Sequence, residues 1–398
     1  MKKINPYSLL VTAIIIIIVL YELKWSSLYP NLSLSIIAFF IITILSLLIM
    51  NSILTRSLKD RIDKPLYSYK KYYGYIVILV VIGTILDGIY SHGYPLLGDL
   101  KYGEDFGVPF LHVLTSIAAS FVAYMLAMIL TFEEKFNIKV FILLFITVLC
   151  LLLPFSRLII ILTVLNYIWS LIYIRMKENK FTLKNSIILI ILTCVGLYSF
   201  GILGNYRLNV QTNNNTRKAT DSTLIYQIGV PSQSFTDSKI PAAYFWDYIY
   251  LTSSIGNLQN IVNYSEPSST DLKKFVVTQF LPDTISKKIY SNYSDEVKLN
   301  TFQYQITSSL NVGTIFYEPY YLFGWIGIYL MLMFLLIFPM IYLLLIQNID
   351  SKYFIYGLSI LNTIYLLALF DNMFTLSVLS LQLFIPLISK LFKKNKNF

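Results

Sequence analysis

Three arginines stand where this chain could hold a phosphorylated group at a membrane surface. Arg157 lies in the tight turn PFSR, residues 154–157, between two apolar segments, and Arg207 ends the run GILGNYR after a third. Arg217 follows ten residues later. Guanidinium groups bind phosphate through paired hydrogen bonds, and ionisable residues at membrane depth are usually functional. We expect these arginines to bind a lipid-linked diphosphate; interfacial contacts with lipid headgroups are the alternative.

His112 is the candidate general base. It shares one face of a predicted helix with Ser116 and Ser120, so its imidazole belongs to a polar stripe that faces other helices. Imidazole exchanges protons near neutral pH, which suits it to take the proton of a sugar hydroxyl. A hydrogen bond between helices is an equally good interpretation of this histidine.

Other titratable side chains give weaker signals. Asp87 and Glu318 are alternative bases and Asp371 stands in a predicted outer turn, but helix capping or solvation is the favoured interpretation of all three. His92 is expected to be solvated. Because the chain has two histidines and no Walker, GxGxxG, CxxC or HExxH motif, we expect no metal and no cofactor. The acidic residues of the segment 91–108 are a remote alternative cation site.

The elements that position these residues are predicted to cross a membrane. The chain has 398 residues, is 56% hydrophobic and only 13% charged, which indicates an all-α polytopic integral membrane protein. About ten transmembrane helices are predicted, and their ranges are 8–23, 34–53, 72–90, 109–131, 140–153, 158–174, 186–204, 320–346, 353–370 and 373–391. Cys150 and Cys194 both fall inside predicted spans, where packed thiols are expected.

Basic residues indicate the orientation. Of the 31 lysines and arginines, 19 lie at the termini or in alternate short loops on one side, and the short loops on the other side hold three. The positive-inside rule therefore predicts that the N- and C-termini are cytoplasmic. The basic surplus orients the chain and gives no reason to expect nucleic acid.

One large outer loop with short helices divides the chain into three parts. Residues 1–204 form a predicted membrane domain of about seven helices, residues 205–319 the extracytoplasmic loop, and residues 320–398 about three further helices with a basic cytoplasmic tail. Within the loop, apolar spacing predicts an amphipathic helix over 241–262, on the membrane surface or in a small soluble cap, with Asp247, Asn257 and Gln259 off its apolar face. A second helix is predicted over 271–280, capped by Thr270 or Asp271.

Three segments resemble the oligosaccharide repeat-unit polymerase family, the Wzy-type O-antigen or capsule polymerases. They are GYPLLGDLKYGEDFGVPFLH at 93–112, the arginine-bearing outer turn with GNYR at the loop entrance, and LNVGTIFYEPYYLFGWIG at 310–327. The hydropathy outline of the whole chain is similar as well. Related O-antigen ligases generally carry a histidine in the long loop, and this loop has none.

The resemblance implies a glycosyltransferase at the outer face of the bacterial plasma (inner) membrane. Its substrates would be oligosaccharides linked to undecaprenyl diphosphate, polymerised into O-antigen or capsule, with a flippase and a chain-length regulator as further partners beside the lipid bilayer. The arginines would hold the diphosphate, and Asn311 and Tyr320 would contact substrate. The loop side chains Tyr244, Tyr248, Tyr250, Asn257 and Gln259 offer further faces and amides for sugar, with ordinary packing as the alternative.

Two other functions stay open. One is a ligase or another transferase that uses lipid-linked sugars; a mannosyltransferase-like enzyme would usually need an acidic pair in the first large outer loop, which here holds only Glu22 and Lys24. The other is a lipid-oligosaccharide flippase or transporter, a class that favours charges lining helices in mid-membrane. Mid-membrane positions of this chain are nearly uncharged, although Asn166, Asn362 and Gln382 are polar.

Overall fold

A computed structural model describes residues 4–57, 65–97, 106–154, 157–178, 182–212, 218–268, 271–291 and 293–394. These residues form an all-helical protein, in which the only strand-like pairing is a single bridge between Ser26 and Pro231. The helices before the long loop are α1 (Pro6–Glu22), α2 (Leu34–Ser57), α3 (Lys71–Tyr90), α4 (Leu111–Phe132), α5 (Ile138–Leu152), α6 (Arg157–Lys177) and α7 (Leu183–Gln211). Those that follow in the loop are α8 (Thr223–Gly229), α9 (Gln233–Thr236), α10 (Tyr244–Tyr264), α11 (Leu272–Phe280), α12 (Asp283–Ile289) and α13 (Tyr293–Thr301). The chain ends with α14 (Tyr317–Ile346), α15 (Ser351–Leu366), α16 (Ser377–Ser380) and α17 (Phe384–Lys394).

The chain is a multi-pass membrane protein by the length and apolar character of its helices. Among the described residues, six helices are long and apolar enough to cross a membrane: α2, α3, α4, α6, α7 and α14. The other four predicted spans coincide with the shorter helices α1, α5 and α15 and with the broken pair α16 and α17. The count of ten spans and the cytoplasmic termini therefore stay predictions.

Polar pairs join the helices at the centre of the bundle. The Ser120 and Thr163 hydroxyls lie 2.5 Å apart between α4 and α6, and the Tyr124 hydroxyl lies 2.8 Å from that of Ser170. Thr363 of α15 donates to the Asn166 amide of α6 at 2.7 Å. In a membrane these buried hydrogen bonds and close packing hold helices together, because the lipid is as apolar as the side chains. Of the predicted polar stripe of α4, Ser120 thus faces α6.

The long loop folds into a cap around α10. The second predicted loop helix is confirmed as α11, in which the Lys273 and Lys274 amides of the first turn donate to the Asp271 carboxylate. The predicted amphipathic character of the first is wrong, because α10 is buried on nearly all sides between α1, α7, α8 and α14. Asp247, Asn257 and Gln259 are all buried with it. The spacing of apolar residues could not reveal that polar side chains of the cap are also internal.

A non-helical segment at 367–376 packs beside the middle of α14. Phe374 contacts both Phe334 and Phe338 edge-on, with ring centroids 4.8 and 5.1 Å apart. The Ile315 amide donates to the Ala368 carbonyl at 2.8 Å, and the Asn372 side chain donates to the Gln279 carbonyl at 2.8 Å. Irregular backbone at membrane depth is tolerated where protein or a water-filled cavity surrounds it. Both conditions are met at this turn.

Helix α14 itself is broken near its start. Gly324 has φ of +59°, a conformation that a side chain disfavours, so the two turns from Tyr317 point away from the long span that follows. A Cβ atom at Gly327 would lie 2.0 Å from the Pro319 carbonyl oxygen, so only glycine fits against the first turns. This break places Glu318 in the wall of the cap.

Replacing Asp247 by Asn should stabilise the protein as pH rises. Burial raises the pKa of Asp247 to about 7, and its Oδ2 atom is buried without a hydrogen-bond partner. A carboxyl with a raised pKa stabilises the fold below its ordinary pKa, and that contribution is lost as pH rises through about 7. The free energy of unfolding of Asp247→Asn should therefore rise relative to that of the wild type between about pH 4 and pH 7. Above pH 7 the difference should stay at about 4 kcal/mol.

Thermal unfolding of the detergent-solubilised protein between about pH 4 and pH 8 measures this effect. Asp237→Asn, at an exposed position of the same cap, is the matched control. Equal melting shifts for the two variants, or a shift for Asp247→Asn that does not change with pH, would contradict the assignment.

Candidate functional site

A carboxylate and an imidazole form a pair where α3 ends and α4 begins. The Asp87 Oδ2 atom lies 2.8 Å from His112 Nδ1, and the other oxygen of Asp87 accepts a hydrogen bond from the Val108 amide at 2.9 Å. The Asp87 side chain is 2% exposed and that of His112 is 21% exposed. The carboxylate thus anchors the ring from the buried side, while part of the imidazole stays accessible.

The chain around the pair is shaped to bring the two helices together. Gly107, at φ of +89°, packs directly on the imidazole, where an added Cβ atom would lie 2.7 Å from the His112 ring. Phe106 meets the same ring edge-on at 5.4 Å, and the Gly107 amide donates to the Ser91 hydroxyl. The ring therefore has a fixed position in which Nδ1 faces Asp87.

This arrangement leaves Nε2 as the ring atom for proton exchange. A carboxylate bonded to the other nitrogen fixes the ring orientation and stabilises the imidazolium that forms when Nε2 takes a proton. The cavity beside the pair has a volume of about 10 Å³, lined by Thr84, Ser116 and Pro154 among others, so it has room for about one water. A larger substrate would approach His112 from the exposed side of the ring.

The Arg157-bearing turn borders the same cavity. Pro154 and Ile159, on either side of Arg157 in the sequence, both line it together with His112. The Leu96 amide donates to the Leu153 carbonyl at 3.1 Å and ties this turn to the segment that follows α3. Arg157 is the first residue of α6, and its side chain lies outside the described part of the structure.

The other two arginines are not placed beside this pair by any described contact. Arg207 lies half-buried on α7, which packs on α8 and α10 of the cap, whereas α6 packs on α4 and α15. Arg217 lies outside the described residues. A joint clamp made by Arg157 and Arg207 remains a prediction.

A much larger cavity, of about 610 Å³, lies between the cap and the start of α14. Its walls come from α13, the segment 311–319 and the turn at 371–372. Glu318 accepts a hydrogen bond from the Gln279 amide at 3.1 Å inside it. Lys298 and Asp371 are both exposed while lining the cavity, which shows that the cavity is open to solvent. We call it the cap cavity.

Lys298 is the basic residue around which carboxylates of the cap cavity gather. Its Nζ atom lies 3.9 Å from Asp283 Oδ2. Desolvation by the surrounding cavity wall would by itself lower the pKa of the Lys298 ammonium, but Glu318, Asp283, Asp371 and Asp295 together outweigh it and raise the pKa. Desolvation by the surrounding protein raises the pKa of Asp371, although the Asn372 amide and Lys298 oppose it. The ammonium therefore stays charged and part of the carboxylate charge is neutralised.

The structure places the two predicted substrate residues near the end of the loop in different surroundings. Asn311 is exposed and lines the cap cavity, and its carbonyl accepts a hydrogen bond from Gln305. Tyr320 is 8% exposed and donates its hydroxyl to the Val262 carbonyl at 3.3 Å, so it joins α14 to α10 and does not line the cavity.

The other loop side chains considered for sugar are mainly structural. The Tyr248 hydroxyl accepts a hydrogen bond from the Trp25 amide. The Asn257 side chain forms hydrogen bonds with three backbone groups of the segment 306–312. Gln259 is 1% exposed and accepts the Ser33 amide. Packing is therefore the correct interpretation for these three residues.

Sequence reasoning considered Asp87, Glu318 and Asp371 separately and favoured capping or solvation. The structure pairs Asp87 with His112 and puts Glu318 and Asp371 in one cavity with Lys298. The sequence could have indicated the Asp87–His112 pair, because the two residues lie at the same end of two consecutive antiparallel helices. No spacing rule could join Lys298, Glu318 and Asp371, which come from three separate elements.

Neither a metal-binding cluster nor a match to a known protein indicates what this site does. Within the described ranges, no group of three or more His, Cys, Asp or Glu side chains is suited to hold a metal ion. The acidic residues Asp99, Glu104 and Asp105 of the first outer segment lie outside the described residues.

No protein family model, curated protein or solved structure matches the chain. Function has to be argued from the geometry.

Replacing Asn257 by Ala should loosen the cap and the wall of its cavity. The Asn257 amide donates to the Leu310 and Val312 carbonyls at 2.7 and 2.8 Å and accepts the Ile306 amide at 2.7 Å. Loss of these buried hydrogen bonds should lower the free energy of unfolding by about 3 kcal/mol.

Thermal unfolding and limited proteolysis of the detergent-solubilised protein measure that loss. Asn300→Ala, at an exposed position on α13, should change stability by less than about 0.5 kcal/mol. If Asn257→Ala has the same melting temperature and the same rate of proteolysis as the wild type, other contacts hold the segment 306–312 in place.

Proposed function

We propose that this chain is a membrane glycosyltransferase that polymerises oligosaccharides carried on undecaprenyl diphosphate, at the outer face of a bacterial plasma membrane. The observation that carries the proposal is the Asp87–His112 pair, held at a helix end beside the turn that bears Arg157. Transfer from a diphosphate donor requires an oriented base, and an arginine on the neighbouring turn is the residue expected to hold the diphosphate. Because the donor is already activated, no nucleotide site is needed.

The reaction is a single displacement at the anomeric carbon of the donor. His112 Nε2 takes the proton of the acceptor hydroxyl as the new carbon–oxygen bond forms. The bond from the anomeric carbon to the diphosphate breaks, and undecaprenyl diphosphate leaves with the bonding electron pair. Asp87 stabilises the imidazolium, and the configuration at the anomeric carbon inverts, as in inverting glycosidases.

The magnitudes are consistent with this division of roles. A positioned general base contributes typically ~10²–10⁴-fold in rate. A preorganised donor to a developing negative charge is worth about 3–4 kcal/mol. Arginine suits this task because it stays charged in a dry site and bonds two phosphate oxygens at once.

The segments that resemble repeat-unit polymerases also support the proposal. His112 ends the segment 93–112, and the segment 310–327 supplies Asn311 and Glu318 to the cap cavity and the glycine break to α14. Residues that resemble the family are therefore concentrated at the base and at the cavity wall.

A lipid-oligosaccharide transporter is the second candidate. The cap cavity favours it, because it is an open cavity of about 610 Å³ lined by Lys298, Glu318 and Asp371, and ionisable groups that line a water-filled cavity are typical of transport pathways. Product analysis separates the two functions. The purified protein in liposomes would lengthen the glycan if it is a transferase and only move it across the bilayer if it is a transporter.

Replacing His112 by Gln should reduce polymer formation by about 10²–10⁴-fold, because His112 is the group proposed to take the proton. The measurement is the ladder of product lengths made by the reconstituted protein from undecaprenyl-diphosphate-linked repeat units. Normal ladders from His112→Gln would remove this residue as the base.

Asp87 should act through His112 as a positioning residue. Asp87→Asn should lower kcat far more than it changes KM and should shift the pH–rate profile, and Asp87→Glu should restore part of the rate. A purely structural role would lower the yield of folded protein and leave the pH profile of the surviving protein unchanged.

Arg157→Ala and Arg207→Ala should each leave expression intact while the glycan stays at a single repeat unit, with a loss of about 3–4 kcal/mol in transition-state stabilisation. Arg175→Ala, at the opposite end of α6 from Arg157, is the matched control and should keep full-length product. If both outer arginine variants still make long chains, the diphosphate clamp is wrong.

A further inference from the structure

Within the described part of the chain, one face of α11 is apolar and uncovered. Leu272, on its first turn, is 54% exposed, and Val276, one turn later, is also exposed. Phe280 continues the same side of the helix at the same spacing of four residues. Apolar surface is unfavourable in water, so such a face is expected to meet lipid where it is continuous with a membrane-spanning surface.

The apolar face of α11 is continuous with the membrane-spanning part of α14. The two helices line a groove of about 310 Å³, in which every lining residue is apolar. On the α14 side, Met333, Ile337 and Ile341 are exposed in this groove. Because α14 is long and apolar enough to cross a membrane, these three side chains are expected to face lipid chains. The same lipid then reaches the face of α11.

Ring contacts indicate that α11 descends along α14 from the cap side. Phe275 meets Phe323 at 5.2 Å, near the first turns of α14, whereas Phe280 stacks on Phe334 at 4.3 Å. Phe334 follows the break at Gly324 by about three turns, or ~15 Å of helix. Counted from this break, the end of α11 reaches about half of a hydrocarbon core that is ~30 Å thick.

Helix α12 brings the chain back to the cap side. The start of α11 and the end of α12 meet where Lys274 Nζ lies 5.9 Å from the centroid of the Tyr290 ring. Lys288, in the last turn of α12, lies 4.7 Å from the ring of Phe110, the residue before α4. The two helices are therefore the legs of a hairpin, with the buried Pro282 at its tip.

Backbone groups at this tip are satisfied by the irregular segment 367–376. The Gln279 carbonyl, in the last turn of α11, accepts a hydrogen bond from the Asn372 side chain at 2.8 Å. The Asp283 amide, at the start of α12, donates to the Thr375 carbonyl at 2.8 Å. Non-helical backbone at membrane depth needs partners of this kind within the protein, because lipid offers none. Two irregular segments thus satisfy each other.

The charges of the hairpin are distributed as a bilayer requires. Its two open ends, the first turn of α11 and the last turn of α12, carry Lys273, Lys274, Lys287 and Lys288. The stretch 275–282 between them has no ionisable residue. Asp283, beside the tip, lies with its Oδ2 atom 3.9 Å from Lys298 Nζ, so it belongs to the charged cluster at the cap cavity. Lysines at the ends of membrane segments reach the interface with water.

We propose that residues 272–289 form a re-entrant helical hairpin that dips into the leaflet beneath the cap, and that acyl chains of the phospholipids of this leaflet occupy the α11–α14 groove. Helix α11 then forms a wall between these chains and the cap cavity, since Val276 lines the groove and Gln279 lines the cavity. Part of the long loop is thus a membrane element. This placement is independent of the transfer reaction, because no step of that reaction involves the hairpin.

The test is the access of two collision probes to nitroxide labels on the full-length protein, measured by electron paramagnetic resonance in phosphatidylcholine–phosphatidylglycerol liposomes. Oxygen enters lipid, and a polar nickel chelate stays in water. Labels attached through p-acetylphenylalanine replace Val276, Met333 or Leu299 one at a time and leave the native cysteines unmodified. Met333 is the lipid-facing reference, and Leu299, which is 75% exposed on α13, is the matched control in the cap.

We expect the ratio of oxygen to nickel collisions at Val276 to match that at Met333. It should exceed the ratio at Leu299 by about tenfold or more, because hydrocarbon excludes the polar chelate. A second measurement uses charge in the same liposomes. Val276→Asp should lower the melting temperature, since an ionised side chain that faces lipid is costly, whereas Leu299→Asp should leave it unchanged.

Three results would overturn the proposal. A ratio at Val276 as low as that at Leu299 would place the hairpin in water. Poor access of both probes to Val276 would mean that a protein, such as a second copy of this chain, covers the groove in place of lipid. Equal melting temperatures for Val276→Asp and Leu299→Asp would mean that this face does not meet hydrocarbon. None of these readouts requires substrate, so the outcome is separate from that of the polymer assays.

Discussion

The need to satisfy every polar group away from water is the constraint on which this structure depends. In a chain this apolar, a hydroxyl, amide or carboxylate away from water costs free energy unless it finds a partner or reaches a wet cavity. The hydroxyl pairs between α4 and α6 meet the first condition. The turn at 367–376 meets both, because its Ala368 and Thr375 carbonyls accept the Ile315 and Asp283 amides and its Asp371 reaches the cap cavity.

The same constraint explains why two polar centres lie at the cap side of the helices. Asp87 is almost inaccessible, and it is tolerated because both of its oxygens are bonded, one to the His112 ring and one to the Val108 amide. Glu318 is kept beside Lys298 and bonded to Gln279. Each carboxylate therefore shapes a neighbouring group: the first orients an imidazole, and the second defines a cavity of negative charge.

The cap serves as the scaffold that relates these centres. Its central helix α10 is internal, and Asn257 ties the segment 306–312 to it by three hydrogen bonds. Helix α12 then links the wall of the cap cavity to Phe110. The cap is therefore the part of the described chain through which the imidazole and the cap cavity are connected.

The sequence by itself determined the membrane class and the location of the long helices, because hydropathy acts locally along the chain. The outer position of the long loop stays a prediction from the distribution of basic residues. The sequence also predicted α11, with Thr270 or Asp271 as its cap, and the polar stripe of α4. Only the tertiary structure decided that Asp87 orients His112, that α10 is buried, that Tyr320 is a packing residue, and that Lys298, Glu318 and Asp371 share one cavity. Those facts depend on contacts between elements far apart in the chain, and no local periodicity encodes such contacts.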